Sequence, residues 1–120
     1  VIARSYGLCE GCGTFGATLD VHHRLARGAG GVRRAAAEAA NDVRNLLALC
    51  RHPCHERTEH ADTWRECAAL GWRFRHGLID PRETPAYLFT VNGKGWWYLT
   101  ENGGYRWADL PDEHRLPLEE

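Results

Sequence analysis

Polar and apolar residues alternate over Thr18–His23, with Leu19 and Val21 on one face, and that period predicts a short strand. Val43, Leu46, Leu47 and Leu49 make a second apolar run over Val43–Leu49, read as a strand or an extended segment. Pro53 suits the first turn of a helix. The helix is expected from about Cys54 to Leu70, with Gly71 as its stop and Trp64, Cys67, Ala68 and Leu70 as its buried stripe. Beyond Gly71 the texture becomes aromatic and extended. Trp72–Phe74, Ala86–Val91 and Trp96–Thr100 read as strands, with turns at Asn92-Gly93 and Asn102-Gly103-Gly104. The tail over Asp109–Glu120 is acidic, contains Pro111 and Pro117, and is expected to be loosely ordered.

These elements predict an α+β chain with a first unit over residues 1–70 and a small β-rich extension with the acidic tail over residues 71–120. A chain of 120 residues has a small core, for which a metal staple is useful. No apolar run approaches the length of a membrane span, so no membrane partner is expected. No signal peptide is visible, and the setting is read as reducing and intracellular.

Net charge is −1, but it is unevenly spread. The first 60 residues hold 8 Arg and 6 acids, and the last 60 hold 7 basic residues and 10 acids. Arg24, Arg27, Arg33 and Arg34 fall between His22 and Ala37 with no acid among them, in a stretch broken by Gly28, Gly30 and Gly31. Arginine suits bidentate contacts to phosphate, so these four are candidate nucleic-acid contacts.

Five cysteines argue against a tidy disulfide framework, and their spacing argues for metal. Cys9-Glu-Gly-Cys12 is a knuckle in which Gly11 and Gly13 let the backbone curl its N–H groups toward the thiolates. Cys50 and Cys54 form a second pair, one residue wider. The four thiolates match the tetrahedral donor set of a structural zinc, while Cys67 falls on the helix stripe and reads as core. His22 and His23 end the first strand, and His55 follows a zinc ligand directly. Closing the cysteine clamp draws His55 toward the strand that holds the tandem histidines. Two imidazoles can then bind a divalent ion, and a third, unligated, has a suitable pKa to take a proton from water. Adjacent strand residues point to opposite faces, so His22 and His23 need a bend or a strand end to serve one site.

Taken together, Cys9-x-x-Cys12, a strand ending in His22-His23, an arginine-rich loop, Asn45-Leu-x-x-Leu-Cys50 and Cys54-His55 resemble the zinc-containing HNH endonucleases. The likeness covers residues 9 to about 60. It implies a ββα-metal (His-Me finger) core clamped by a four-cysteine zinc, with a C-terminal β-hairpin extension. It further implies metal-dependent hydrolysis of DNA phosphodiesters by a one-metal mechanism leaving 5′ phosphates. By the same likeness His22 and His55 are ligands of a catalytic divalent ion (Mg²⁺, Mn²⁺, Ni²⁺ or Zn²⁺). His23 is the general base and Asn45 the residue that orients it. Glu59, four residues after His55, and His60 are further ligand candidates. The partner implied is DNA, in the cytoplasm of a bacterial or phage-infected cell, with a homodimer or a larger phage or restriction assembly as the setting.

The aromatic cluster Tyr87, Phe89, Trp96, Trp97, Tyr98, Tyr105 and Trp107 reads as the core of a small sheet that covers the helix, rather than as a base-stacking platform. Two rival readings keep the zinc but drop catalysis: a zinc-stabilised nucleic-acid or protein-binding module, and a structural subunit of a larger assembly.

Overall fold

The computed structural model describes residues 2–26, 42–75 and 79–118. The fold is α+β, with two small antiparallel sheets and short helices. β1 (Leu19–His23) pairs antiparallel with β2 (Leu46–Cys50), His22 opposite Leu47 and His23 opposite Leu46. The second sheet has the order β3-β4-β5, from Ala86–Thr90, Gly93–Leu99 and Tyr105–Trp107. The third strand goes beyond the expected hairpin and forms after the turn at Asn102–Gly104.

β2 is buried along Leu47–Cys50 because both of its faces are covered, which accounts for its continuous apolar run. β1 differs. Val21 is 44% exposed while His22 is buried, so the polar face of the strand is the one turned inward.

The single long helix expected from Cys54 to Leu70 is broken. A tight turn over Arg51–His55, with His52 extended and the His52–Pro53 peptide cis, leads into α1 (Glu56–Glu59). His60 is extended, and α2 runs from Trp64 to Ala69. Two threonine hydroxyls bond main-chain carbonyls around the break. The Thr63 hydroxyl donates to the Arg57 carbonyl at 2.7 Å, and the Thr58 hydroxyl to the His55 carbonyl at 2.6 Å, so side chains compete with the helical ladder. Gly71 ends α2 as expected, at φ +78°. A Cβ there would stand 2.4 Å from the Pro85 carbonyl oxygen.

One core crosses the expected boundary at residue 70. Leu47, Leu49, Cys54 and Cys67 pack with Trp72, Ala86, Leu88, Trp97 and Leu99. Each large apolar side chain so buried contributes roughly 1.5–3 kcal/mol. Edge bonds join the same parts: Tyr87 N–H donates to the Leu70 carbonyl and Phe89 N–H to the Glu10 carbonyl, both at 2.9 Å. The tail is also engaged up to Leu116, whose N–H donates to the Ala69 carbonyl at 2.9 Å, while His114 packs edge-on against Trp96. No helix among the described residues is long and apolar enough to cross a membrane.

Candidate metal centres

Cys9, Cys12, Cys50 and Cys54 converge, their sulfurs all within 4.8 Å of one another, and none of the five cysteines is in a disulfide. The Cys12–Cys50 separation is 3.9 Å. A tetrahedron with metal–sulfur bonds of about 2.3 Å has edges of about 3.8 Å, so the donor set fits a structural metal such as zinc. Backbone donors reinforce it: Gly11 N–H and Cys50 N–H point at the Cys9 sulfur, at 3.3 and 3.1 Å. With a hydrogen bond from Cys54 first, they hold the Cys9 thiol well below its ordinary pKa, and the same pairing pushes Cys54 up. Gly11 is required by space. A Cβ there would lie 2.9 Å from the Trp72 ring and 3.0 Å from the Cys54 sulfur. Cys67 is buried apart from the cluster, its thiol pushed up by desolvation.

Glu10, between the first two cysteines, is not singled out by the sequence pattern, yet it is fully buried. It accepts from Arg4 at 2.9 Å, from Ala48 N–H at 2.8 Å and from the Tyr105 hydroxyl at 2.5 Å. Arg4 also caps the Val43 and Leu46 carbonyls. An acid next to a zinc knuckle reads as a surface residue unless its distant partners are known.

The second cluster is built from β1, the turn that ends at His55, and α1. His22, His55 and Glu59 each offer a ligand atom, and these atoms lie within 4.8 Å of one another. His55 and Glu59 are four residues apart and share a helical face. Each imidazole is anchored by a hydrogen bond at one ring nitrogen. His22 Nε2 lies 2.8 Å from the Trp72 carbonyl and must donate to it, which leaves Nδ1 as the lone-pair nitrogen. His55 Nδ1 lies 2.9 Å from Asp20 Oδ2, which leaves Nε2. Outer hydrogen bonds of this kind fix the tautomer and orientation of metal-binding histidines. Asp20 is itself held by Arg51 at 3.0 Å, and Arg51 first, His55 next, lower its carboxyl pKa to about 2. Burial is the main cause that lowers His22 to about 4, against the opposing bond to Trp72, so its ring is neutral near pH 7. Asp20 is two residues before His22 on the same strand face, a period-2 relation that marks it in the sequence once β1 is recognised.

His23, half-buried, is the last residue of β1 and stands outside this cluster, with the chain bending at Arg24. Asn45 is fully buried. Its side-chain oxygen accepts from Leu25 N–H at 2.8 Å, and its amide donates to the Leu25 carbonyl at 3.0 Å, while its own carbonyl accepts from Arg24 N–H at 2.7 Å. Asn45 thus fixes the backbone leaving β1, two residues beyond His23. His60 is also outside the cluster; it is exposed, with its Nδ1 accepting from Asp62 N–H at 3.1 Å.

Arg24 corrects the reading of the basic stretch. Its side chain is fully buried, with Nε, Nη1 and Nη2 donating to the carbonyls of Gly71, Arg44, Pro81, Thr84 and Pro85 at 2.8–3.2 Å. The Phe74 ring packs 5.0 Å from its guanidinium carbon. No donor faces solvent, so Arg24 cannot hold a phosphate; it clamps the β1 exit to residues 71–85. Arg27, Arg33 and Arg34 lie outside the described residues.

No protein-family model, curated protein or solved structure matches this chain.

Proposed function

We propose that the protein is a metal-dependent DNA endonuclease of the HNH type, with β1, β2 and α1 as its ββα-metal core and the four-cysteine cluster as its structural zinc site. The observation that supports this most strongly is the pair of anchored imidazoles. His22, His55 and Glu59 offer ligand atoms within 4.8 Å of one another, while His22 Nε2 is tied to the Trp72 carbonyl and His55 Nδ1 to Asp20. A structural or binding module has no need of that arrangement next to a zinc clamp that already staples the fold.

His22, His55 and Glu59 would hold a divalent ion, which would supply Lewis-acid stabilisation of charge on a phosphodiester. The chain's own residues do the rest. His22 stays neutral and fixed in one tautomer. Asp20 holds the His55 ring in place and favours electron donation through its far nitrogen. His23, outside the ligand set, takes the proton of the attacking water. Asn45 holds the backbone that follows His23, which limits the directions its ring can take.

The test is plasmid cleavage with Mg²⁺, Mn²⁺, Ni²⁺ or chelator, comparing the protein with His23→Ala at equal zinc content. Cleavage that requires a divalent ion and is lost in the folded, zinc-loaded variant is expected. Equal cleavage by both proteins would overturn the base assignment. Binding of DNA by both without cleavage would favour the non-catalytic binding module.

A further inference from the structure

Residues 72–75 run along the exit of β1. The Trp72 carbonyl accepts from His22, the Phe74 N–H donates to the Arg24 carbonyl at 2.7 Å, and Phe74 bridges Leu25 in parallel. Side chains alternate along this ribbon: Trp72 and Phe74 are buried at 2% and 4% exposure, so Arg73 and Arg75 fall on its other face. There they meet Trp64, at the start of α2. The guanidinium carbons of Arg65, Arg73 and Arg75 lie 5.1, 5.4 and 4.6 Å from the centre of the Trp64 ring.

Three guanidinium groups around one indole are each attracted by its π face and repelled by one another. Among the described residues, neither Arg65 nor Arg73 is in an ion pair; the nearby Glu66 is engaged by Arg57 at 3.0 Å. The ring pre-orders the planar groups of Arg65 and Arg73 and leaves their N–H edges for an anion, the geometry in which arginine grips phosphate. The patch begins one residue beyond the carbonyl that anchors His22.

We propose that Arg65 and Arg73, arrayed on Trp64 beside Arg75, form the surface that holds the backbone phosphates of a nucleic acid beside the histidine cluster. They take the role that Arg24, turned into the core, cannot fill. The choice of a nucleic-acid backbone over an acidic peptide rests on the nuclease reading of the adjoining histidines.

The experiment measures binding of a fluorescent DNA duplex to the full zinc-loaded chain, without added divalent ion, over a series of salt concentrations. The protein is compared with Arg65→Gln/Arg73→Gln and with Arg73→Lys, zinc content and melting temperature serving as fold controls. Each lost phosphate contact lowers the slope of log affinity against log salt by about 1. The double variant should therefore lose about tenfold less affinity than the unmodified chain between 50 and 200 mM salt. Arg73→Lys should keep most of the slope, since charge is retained. A folded double variant with unchanged affinity and slope would overturn the proposal, as would absence of DNA binding by the unmodified chain, or stronger binding of polyglutamate than of DNA. The nuclease reading fails separately: a normal slope, lost in the double variant, with no plasmid cleavage under any divalent ion would retain this surface and remove the catalysis.

Discussion

Asp20 Oδ2 lies 2.9 Å from His55 Nδ1, and Asp20 stands two residues before His22 on the same strand. One carboxylate on β1 therefore holds the histidine that follows Cys54 beside His22, the two ring centres 5.2 Å apart. Loss of an outer partner of this kind typically lowers metal affinity 10–100-fold. Asp20→Ala is expected to weaken Ni²⁺ or Co²⁺ binding at His22, His55 and Glu59 by about that factor, with zinc content unchanged. Titration of the zinc-loaded protein, followed calorimetrically, checks it.

The two classes of cysteine should separate cleanly. Cys9→Ser is expected to lose the zinc and the cooperative unfolding transition, because metal binding to such clusters is itself folding free energy. Cys67→Ala should keep one zinc per chain and lose about 1 kcal/mol, an ordinary core change. Metal analysis by mass spectrometry together with thermal unfolding distinguishes them.

Arg24→Met should be among the most damaging single changes. It leaves carbonyls of Gly71, Arg44, Pro81, Thr84 and Pro85 without a donor in the core, at about 1–3 kcal/mol each before relaxation. A loss of more than about 3 kcal/mol in urea unfolding is expected. The salt dependence of DNA binding by the fraction that remains folded should not change.

His22 gives a defined pH signature when no ion occupies the histidine cluster. Its folded pKa, about 4, is below the unfolded value of 6.5, so the unfolded chain binds the extra proton between those limits. Its contribution is therefore complete above about pH 6.5 and falls away as the pH drops toward 4, by about 3 kcal/mol. The Asp20 contribution has the same sign but is lost in a lower window, from its ordinary 3.8 down to about 2. Comparing pH profiles of unfolding for the protein and His22→Asn isolates the upper window, since zinc release is common to both. Parallel profiles from pH 7 to 4 would refute the assignment.

Residue type and spacing make part of this arrangement readable. Two thiolate pairs predict their own convergence because four equivalent donors have few other uses, β1 follows from alternation, β3 and β4 from extended aromatic runs and their turn residues, and β2 from a continuous apolar run that leaves strand and extended segment open. The side-chain partners are harder. Arg24 looks like its neighbours in a basic stretch because charge does not reveal whether a guanidinium faces solvent or a cage of carbonyls assembled from residues 44 to 85. The helix break at His60, where the backbone turns extended, is not encoded in the apolar periodicity. Trp64 reads as core, and its meeting with Arg73 and Arg75 depends on the ribbon after Trp72 lying along β1. Asp20 has no distinguishing mark until its strand is paired.

Glu10 bears on the order in which the molecule can be made. It is adjacent to the first metal-binding cysteine, but its acceptors are satisfied only when Arg4, Ala48 and Tyr105 are all in place, the last of them 95 positions away. A chain emerging from the ribosome at ~5–20 residues per second exposes Cys9 and Cys12 seconds before Cys50 and Cys54, and Tyr105 later still. Closing such distant contacts is slow. Throughout that interval the knuckle holds two soft donors and an anionic side chain in water. Burial of the Glu10 carboxylate thus ties the neighbourhood of the four-cysteine cluster to the second sheet, because its partners come from residues 4, 48 and 105.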